Sequence, residues 1–151
     1  MKRFPGVSGA EPLTLKLGRR HAVLGVLVAA ACKKEDRCKQ CGMKIDPASA
    51  WTAELVLADG STVRFDTPRC ALVSWRSGKT AAVALRAQEY YERRWRDAAE
   101  LRFVRGGDVL GPMGPDFVPV DPSRANKFIQ DHGADAALTL GEITVELLGR
   151  P

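Results

Sequence analysis

The sequence at residues 60–78 reads GSTVRFDTPRCALVSWRSG, and residues 115–133 read PDFVPVDPSRANKFIQDHG. The two stretches share one pattern: an apolar segment, an aspartate, a proline within two residues, an amphipathic segment and a closing glycine. Aspartate accepts hydrogen bonds at a helix N-terminus, proline fits the first turn, and glycine ends a helix in a left-handed conformation. The repeat therefore predicts helices over Thr67–Ser77 and Pro122–His132.

Strand patterns surround both predicted helices. A turn signal, Ala58-Asp-Gly-Ser61, separates the first two strands. Each half thus has the order strand–strand–helix–strand, which predicts an α+β fold of two similar ββαβ halves. A half of roughly 50 residues buries too little apolar surface to be stable alone, so the halves should pack together. The predicted strands are Trp51–Leu57, Ser61–Phe65, Thr80–Leu85, Glu100–Val104, Asp116–Val120 and Ala137–Leu140.

Two further segments are interpreted as helices. Residues 88–99 carry Glu89/Arg93 and Glu92/Arg96 at the i,i+4 spacing that supports a solvated helix. The segment Glu142–Gly149 is ambiguous and is assigned a short helix.

The first 31 residues have the features of an export signal. A basic region ends in Arg19-Arg20, and a short apolar segment of small residues leads to Cys32. The placement of Cys32 resembles a bacterial lipoprotein signal, which implies cleavage before Cys32, lipid on its sulfur and a membrane-anchored protein in the periplasm or cell envelope. The arginine pair leaves the choice between general and twin-arginine export open. The expected organisation is a signal at 1–31, a tether with the cysteine motif at 32–50, and the two halves at 51–99 and 100–151.

Charge and hydropathy exclude two classes of protein. The chain of 151 residues has a net charge of +5, but residues 1–31 hold five basic residues and one acidic residue. The remainder holds 18 basic and 17 acidic residues, so a cationic surface for nucleic acid is not expected. The longest run without charge or proline is Ala22–Cys32, far short of the ~20 residues of a membrane-spanning helix. A multi-pass membrane protein is therefore excluded.

The motif Cys38-Lys-Gln-Cys41-Gly-Met43 carries the chemistry. A CxxC pair can be half of a zinc site, a thioredoxin-like redox pair or a structural disulfide. A second ligand pair for zinc is incomplete in the sequence, and a charged tether rather than a buried strand precedes Cys38. The disulfide remains the main alternative.

Two methionines favour a copper site. Gly42 permits a backbone conformation in which Cys41 and Met43 could face one point, and Met113 lies in the rigid loop Gly-Pro-Met-Gly-Pro at residues 111–115. Thiolate and thioether ligands together select Cu(I). The expected site is a two- or three-coordinate Cu(I) near Cys41 and Met43, completed by Met113 or by a side chain of a partner.

The ordered motifs resemble a known family. Cys-x-x-Cys-Gly-Met-x-Ile after a lipoprotein signal, then Phe65-Asp66-x-x-x-Cys70, then Pro-Met113-Gly, is similar to the nitrous-oxide reductase accessory protein family, NosL. The resemblance implies a copper chaperone of two ββαβ halves that supplies Cu(I) for nitrous oxide reductase with an ABC-type transporter assembly. It also implies that Cys41, Met43 and Met113 are metal ligands, with Cys38 as a further one.

The sequence leaves several alternatives open. Cys70 could face the site or be a buried free thiol, and His132 could be a ligand or a surface imidazole at a helix C-terminus. The chain could instead be a thiol-redox enzyme or, since the family fold resembles part of alkylmercury lyase, an organomercurial-cleaving enzyme that uses its cysteines and Asp66. It could also be a structural lipoprotein with a Cys38–Cys41 disulfide. The absence of a nucleophile–base–acid set and of a phosphate-binding loop favours a protein that is not an enzyme.

Overall fold

Both halves of the sequence repeat form antiparallel sheets in which the three repeated strands have the same order. A computed structural model describes residues 35–149; the predicted signal at 1–31 and the predicted lipid-bearing Cys32 lie outside the described residues. In the first half the sheet order is β2-β1-β3-β4, and in the second half it is β8-β5-β9. The first-half elements are β1 (Ala53–Val56), β2 (Thr62–Phe65), α1 (Pro68–Arg76), β3 (Ala84–Gln88) and β4 (Trp95–Asp97).

The second half repeats this order with a short hairpin inserted. The hairpin, β6 and β7, lies between the first two strands of the half and presents Met113 in its turn. Three 3₁₀ turns, Ala98–Glu100, Pro122–Arg124 and Leu140–Glu142, connect elements. The second-half elements are β5 (Arg102–Gly106), β6 (Leu110–Gly111), β7 (Gly114–Pro115), β8 (Val118–Val120), α2 (Ala125–His132), β9 (Ala134–Leu138) and α3 (Val145–Leu148).

The two predicted repeat helices are present, with one change in their capping. Thr67, rather than Asp66, caps α1: its hydroxyl accepts from the N–H of Cys70. In the second half Asp121 accepts from the N–H of Ser123 and starts the 3₁₀ turn that leads into α2. Asp66 is therefore free of the capping role that the repeat predicts for it.

The predicted helix over residues 88–99 is wrong. β3 continues to Gln88, a loop turns, and β4 pairs back onto β3. The carboxylate of Glu89 is buried and accepts hydrogen bonds from the backbone of Glu92 and Asp121, while Arg93 takes a left-handed φ of 54°. The Glu89 carboxylate therefore accepts from two backbone N–H groups in the core instead of forming the solvent-exposed ion pair with Arg93 that a helix would give.

The strand boundaries differ from the predictions by a few residues, most of all in the third strand of each half. The first half's third strand begins at Ala84 rather than Thr80, because Thr80 hydrogen-bonds with Ser74 of α1 through both backbone and hydroxyl. The last strand, predicted as Ala137–Leu140, is β9 at Ala134–Leu138. The predicted short helix near the C-terminus is present as α3, which packs on α1.

One apolar core joins the halves. Phe65, Leu72 and Leu85 from the first half pack in one cluster with Phe103 and Leu148 from the second, and all are buried. This common core holds the start of α1 against the second half, where the candidate site forms. Over residues 35–149, no helix has the length and apolar character needed to cross a membrane.

Candidate metal centre

A tight loop presents the two cysteines of the CxxC motif. Arg37 and Lys44 form an antiparallel bridge, and inside it Cys38 N–H donates to Met43 O at 2.8 Å while Gly42 N–H donates to Cys38 O at 2.9 Å. Gly42 has a φ of 79°, which glycine adopts without strain. The loop folds Cys38 into the core and leaves Cys41 half-buried.

The junction of β2 and α1 presents the other two polar groups of the site. Asp66 follows the last residue of β2, and Cys70 lies in the first turn of α1; both are buried. The proline at the start of α1 and the Thr67 cap fix this turn, so Cys70 is held in a defined position facing the loop.

Four ligand atoms converge at this point. The sulfur atoms of Cys38, Cys41 and Cys70 and a carboxylate oxygen of Asp66 all lie within 4.8 Å of one another. The three cysteines are free thiols rather than members of a disulfide. Three sulfurs and one carboxylate in this volume are a donor set for a soft metal ion.

Asp66 shows that the polar groups of the cluster are incompletely satisfied. Its Oδ2 accepts a hydrogen bond from the Cys41 thiol at 3.3 Å. Its Oδ1 is buried and has no hydrogen-bond partner among residues 35–149. A buried carboxylate oxygen without a partner is costly unless a cation or a donor is bound, so this atom marks where a bound ion would interact.

Hydrogen bonding and burial shift the pKa values of the three cysteines in different directions. The Cys70 thiol donates to the Cys38 sulfur and lowers the pKa of Cys38, helped by backbone N–H groups. The same contact, followed by burial, raises the pKa of Cys70. Burial is the main cause that raises the pKa of Cys41. A metal ion bound by more than one of these sulfurs would therefore displace protons.

A cavity of about 370 Å³ opens beside the cluster. Cys41, Cys70 and Met113 all line it, so the fold brings the hairpin methionine to the same space as two thiols. Met113 is 56% exposed, whereas Cys70 is 8% exposed. The cavity thus runs from an exposed thioether to buried sulfurs.

Two other predicted or candidate ligands do not line this cavity. Met43 is 42% exposed, and its backbone N–H contacts the Cys41 sulfur. His132 is outside the cluster, because its Nδ1 is 2.8 Å from Asp108 Oδ1 and its ring packs on Phe128.

The second half is fastened to α1 at the cavity wall. Asp116 Oδ1 accepts from the backbone N–H of Arg69 at 3.0 Å and from its neighbour Phe117 at 2.6 Å. The guanidinium of Arg69 donates to Pro115 O and Leu148 O. These bonds hold the hairpin that carries Met113 against the helix that carries Cys70.

Sequence reasoning did not assign Asp66 a place in the copper site or Asp116 a place in its wall. The repeat explained Asp66 as a helix cap, so Asp66 was not considered as a copper ligand. The signal that could have revealed it is the adjacent Thr67, a competent cap that makes a second capping residue unnecessary. Asp116 had no local signal for this role, because its partner on α1, the backbone N–H of Arg69, is 47 residues away in the sequence.

Comparisons with known proteins give a family match and a similar fold. The sequence model of the NosL family matches residues 29–148. The fold is similar to the crystal structure of the copper chaperone NosL from Shewanella denitrificans, with a TM-score of 0.62 and 18% sequence identity over 73% of this chain and 90% of that chain. No curated protein matches the sequence significantly.

Proposed function

The chain belongs to the NosL family, and from this premise we propose that it is a chaperone that binds copper as Cu(I) and delivers it for maturation of the copper centres of nitrous oxide reductase. The observation that carries the proposal is the convergence of three free thiols and a buried carboxylate within 4.8 Å, beside a cavity that Met113 also lines. The solved relative with the same fold is described as a copper chaperone.

The donor set supports Cu(I) as the cargo. Thiolate and thioether sulfur are soft ligands that favour the monovalent ion. Cys38 and Cys41 would hold the ion, with Cys70 as a further thiol within reach and Met113 at the open side of the cavity. Asp66 would interact with the positive charge through the oxygen that lacks a hydrogen-bond partner.

The depth of the site suits a chaperone that releases its cargo. A half-buried Cys41 and an exposed Met113 leave one side of the ion open to an incoming ligand, while Cys38 and Cys70 are buried. An acceptor's sulfur can add to the ion before the first ligands leave, so the ion never has to enter water. This exchange needs no change in the oxidation state of copper, and the chain acts as a carrier rather than an enzyme.

The setting of this activity is the cell envelope. In this proposal the protein is exported, cleaved before Cys32 and anchored in the membrane by lipid on that residue, as its N-terminal sequence predicts. Its proposed partners are the maturation machinery of nitrous oxide reductase, including an ABC-type transporter assembly. Labelling with a radioactive fatty acid, compared between wild type and Cys32→Ser, tests the anchor.

Copper competition tests the central proposal. Reduced protein is titrated with Cu(I) against a chromogenic chelator, and the wild type should take one ion with high affinity. Cys41→Ser should lower the affinity at least about tenfold, because a ligand bond of more than ~1.4 kcal/mol is lost. Unchanged affinity in both Cys38→Ser and Cys41→Ser, or a disulfide between these residues in protein isolated from the periplasm, would contradict the proposal.

A second candidate function follows from the contact between Cys41 and Asp66. A carboxyl group 3.3 Å from a thiol could deliver a proton to carbon while thiolates retain mercury, so that a carbon–mercury bond breaks and a carbon–hydrogen bond forms. Release of hydrocarbon from an organomercurial by wild type but not by Asp66→Asn would favour this enzyme, whereas Cu(I) binding without such turnover favours the chaperone.

A further inference from the structure

The surface around the mouth of the metal cavity differs in charge from the rest of the chain. Residues 35–149 contain 15 Lys and Arg against 17 Asp and Glu, so they are slightly acidic as a whole. Lys79 nevertheless lies at the mouth, because its Nζ donates to Oε1 of Gln40, which lines the cavity, at 3.1 Å. The mouth therefore carries an exposed positive charge.

A second exposed cation extends this rim. Arg76 lies one helical turn after Val73, which lines the cavity, and its guanidinium donates to the carbonyl of Leu140 at 2.8 Å. Within the described part of the chain, Arg76 and Lys79 form no ion pair with a carboxylate. Their positive charge is thus available to an approaching molecule.

An apolar hollow adjoins the cavity. It has a volume of about 160 Å³, and Val73 belongs to the walls of both spaces. Val145, which is 56% exposed, and Leu148 form its other apolar walls, and Arg76 lies at its side. A concave space of this size accepts one apolar side chain, and a flat layer of lipid head groups would not fill it.

We propose that this surface, defined as Val73, Arg76, Lys79 and Val145 around the metal cavity, docks the copper acceptor, and that the acceptor is a protein with an acidic rim and a projecting apolar side chain. The inference rests on the proposed function and names the partner chemistry of the same site. Opposite charges would raise the rate of encounter. The apolar side chain entering the hollow would then fix the orientation in which an acceptor ligand reaches Cys41.

Transfer to designed acceptors tests the proposal. Two synthetic peptides carry the same two-cysteine copper site, one flanked by Glu and a Leu and the other by Gln and the same Leu. Copper-loaded protein should transfer its ion to the Glu peptide at least ~10-fold faster at low salt, and the difference should shrink as salt screens the charges. A third peptide, with Glu flanks and Ser in place of Leu, should receive copper more slowly than the Glu peptide with Leu.

Matched variants show which residues cause the effect. Arg76→Glu/Lys79→Glu should abolish the preference for the Glu peptide, whereas Lys127→Glu, on helix α2 and away from the cavity, should retain it. Val145→Asp should remove the difference between the Leu and Ser peptides. Equal transfer rates to the Glu and Gln peptides would overturn the proposal, as would binding of unlipidated protein to phosphatidylglycerol vesicles through Arg76 and Lys79 without any peptide preference.

The equilibrium titration separates this inference from the function on which it rests. A protein that binds no Cu(I) contradicts the proposed function itself. A protein that binds and transfers Cu(I) with no dependence on acceptor charge contradicts only the docking surface.

Discussion

Asp116 and Arg69 join the two halves of the fold through a hydrogen bond of 3.0 Å, from the Arg69 backbone N–H to Asp116 Oδ1. Arg69 is adjacent to Cys70, and Asp116 follows the hairpin that presents Met113. The bond therefore holds together two candidate sulfur ligands that come from different halves of the chain.

Replacing Asp116 tests this link. Asp116→Ala leaves the N–H groups of Arg69 and Phe117 without their acceptor, so unfolding should become easier by about 1–3 kcal/mol. Asp116→Asn keeps an oxygen acceptor and should retain most of the stability. In urea unfolding and in Cu(I) competition, wild type and Asp116→Asn should both show higher stability and higher copper affinity than Asp116→Ala. Equal copper affinity in all three proteins would show that the link does not position Met113.

The titration of Asp116 gives a pH dependence of stability. Burial is the main cause that raises its pKa from 3.8 to about 6. The folded state therefore keeps the proton where the unfolded chain has released it, and the stability from this group is complete below about pH 4 and is lost as the pH rises through about 6. A shift of about two pKa units corresponds to a loss of up to ~3 kcal/mol.

Asp116→Asn provides the control for this prediction, because it cannot titrate. The free energy of unfolding of wild type, measured relative to Asp116→Asn, should fall between pH ~4 and ~7. A constant difference between the two proteins over this range would contradict the raised pKa.

The two methionines should differ in their effect on copper. Met113 lines the cavity with Cys41 and Cys70, and Met43 does not. Met113→Leu, which keeps the side-chain size, should therefore weaken Cu(I) binding, and Met43→Leu should weaken it less. The reverse order in competition titrations would mean that the loop at residues 38–43 rearranges to bring the Met43 thioether to the ion.

Two glycines with similar backbone angles allow a test of the loop geometry. Gly42 has a φ of 79° and Gly60 a φ of 82°, and an added Cβ meets no atom within 4 Å at either position. Alanine at each should cost about 1–2 kcal/mol of conformational strain. Only Gly42→Ala should also weaken Cu(I) binding, since Gly60 lies in the turn between β1 and β2; thermal unfolding and copper titration of both variants measure the two effects.

The repeat in the sequence predicted the architecture because it encodes local events. A proline in the first turn and the Thr67 cap start α1, whereas Asp121 and Pro122 start the 3₁₀ turn that leads into α2, and a glycine follows the end of each helix. The segment after β3 was mispredicted because the pattern of Glu89 and Arg93 fits a helix equally well. The conformation of this segment depends on a hydrogen bond from the backbone N–H of Asp121 to Glu89, and Asp121 lies in the other half, outside the local pattern.

In the candidate site, too, the sequence predicted the residue types but not how they pack together. The CxxC motif, Met113 and Cys70 could be singled out as residue types suited to copper. That Cys70 lies within 4.8 Å of Cys38, and that the Met43 thioether does not line the cavity, depends on how the loop at residues 37–44 packs on α1. Such packing is a tertiary property, and sequence spacing alone does not determine it.

The common strand order gives the molecule an approximate internal symmetry with an unequal outcome. Asp121 and Ala125 occupy in the second half the repeat positions of Asp66 and Cys70. Asp121 serves as a cap and pairs with Arg96, and Ala125 carries no thiol. The second half therefore contains the same local scaffold without the sulfur cluster. Introducing the cluster residues there one at a time would show what each of them contributes.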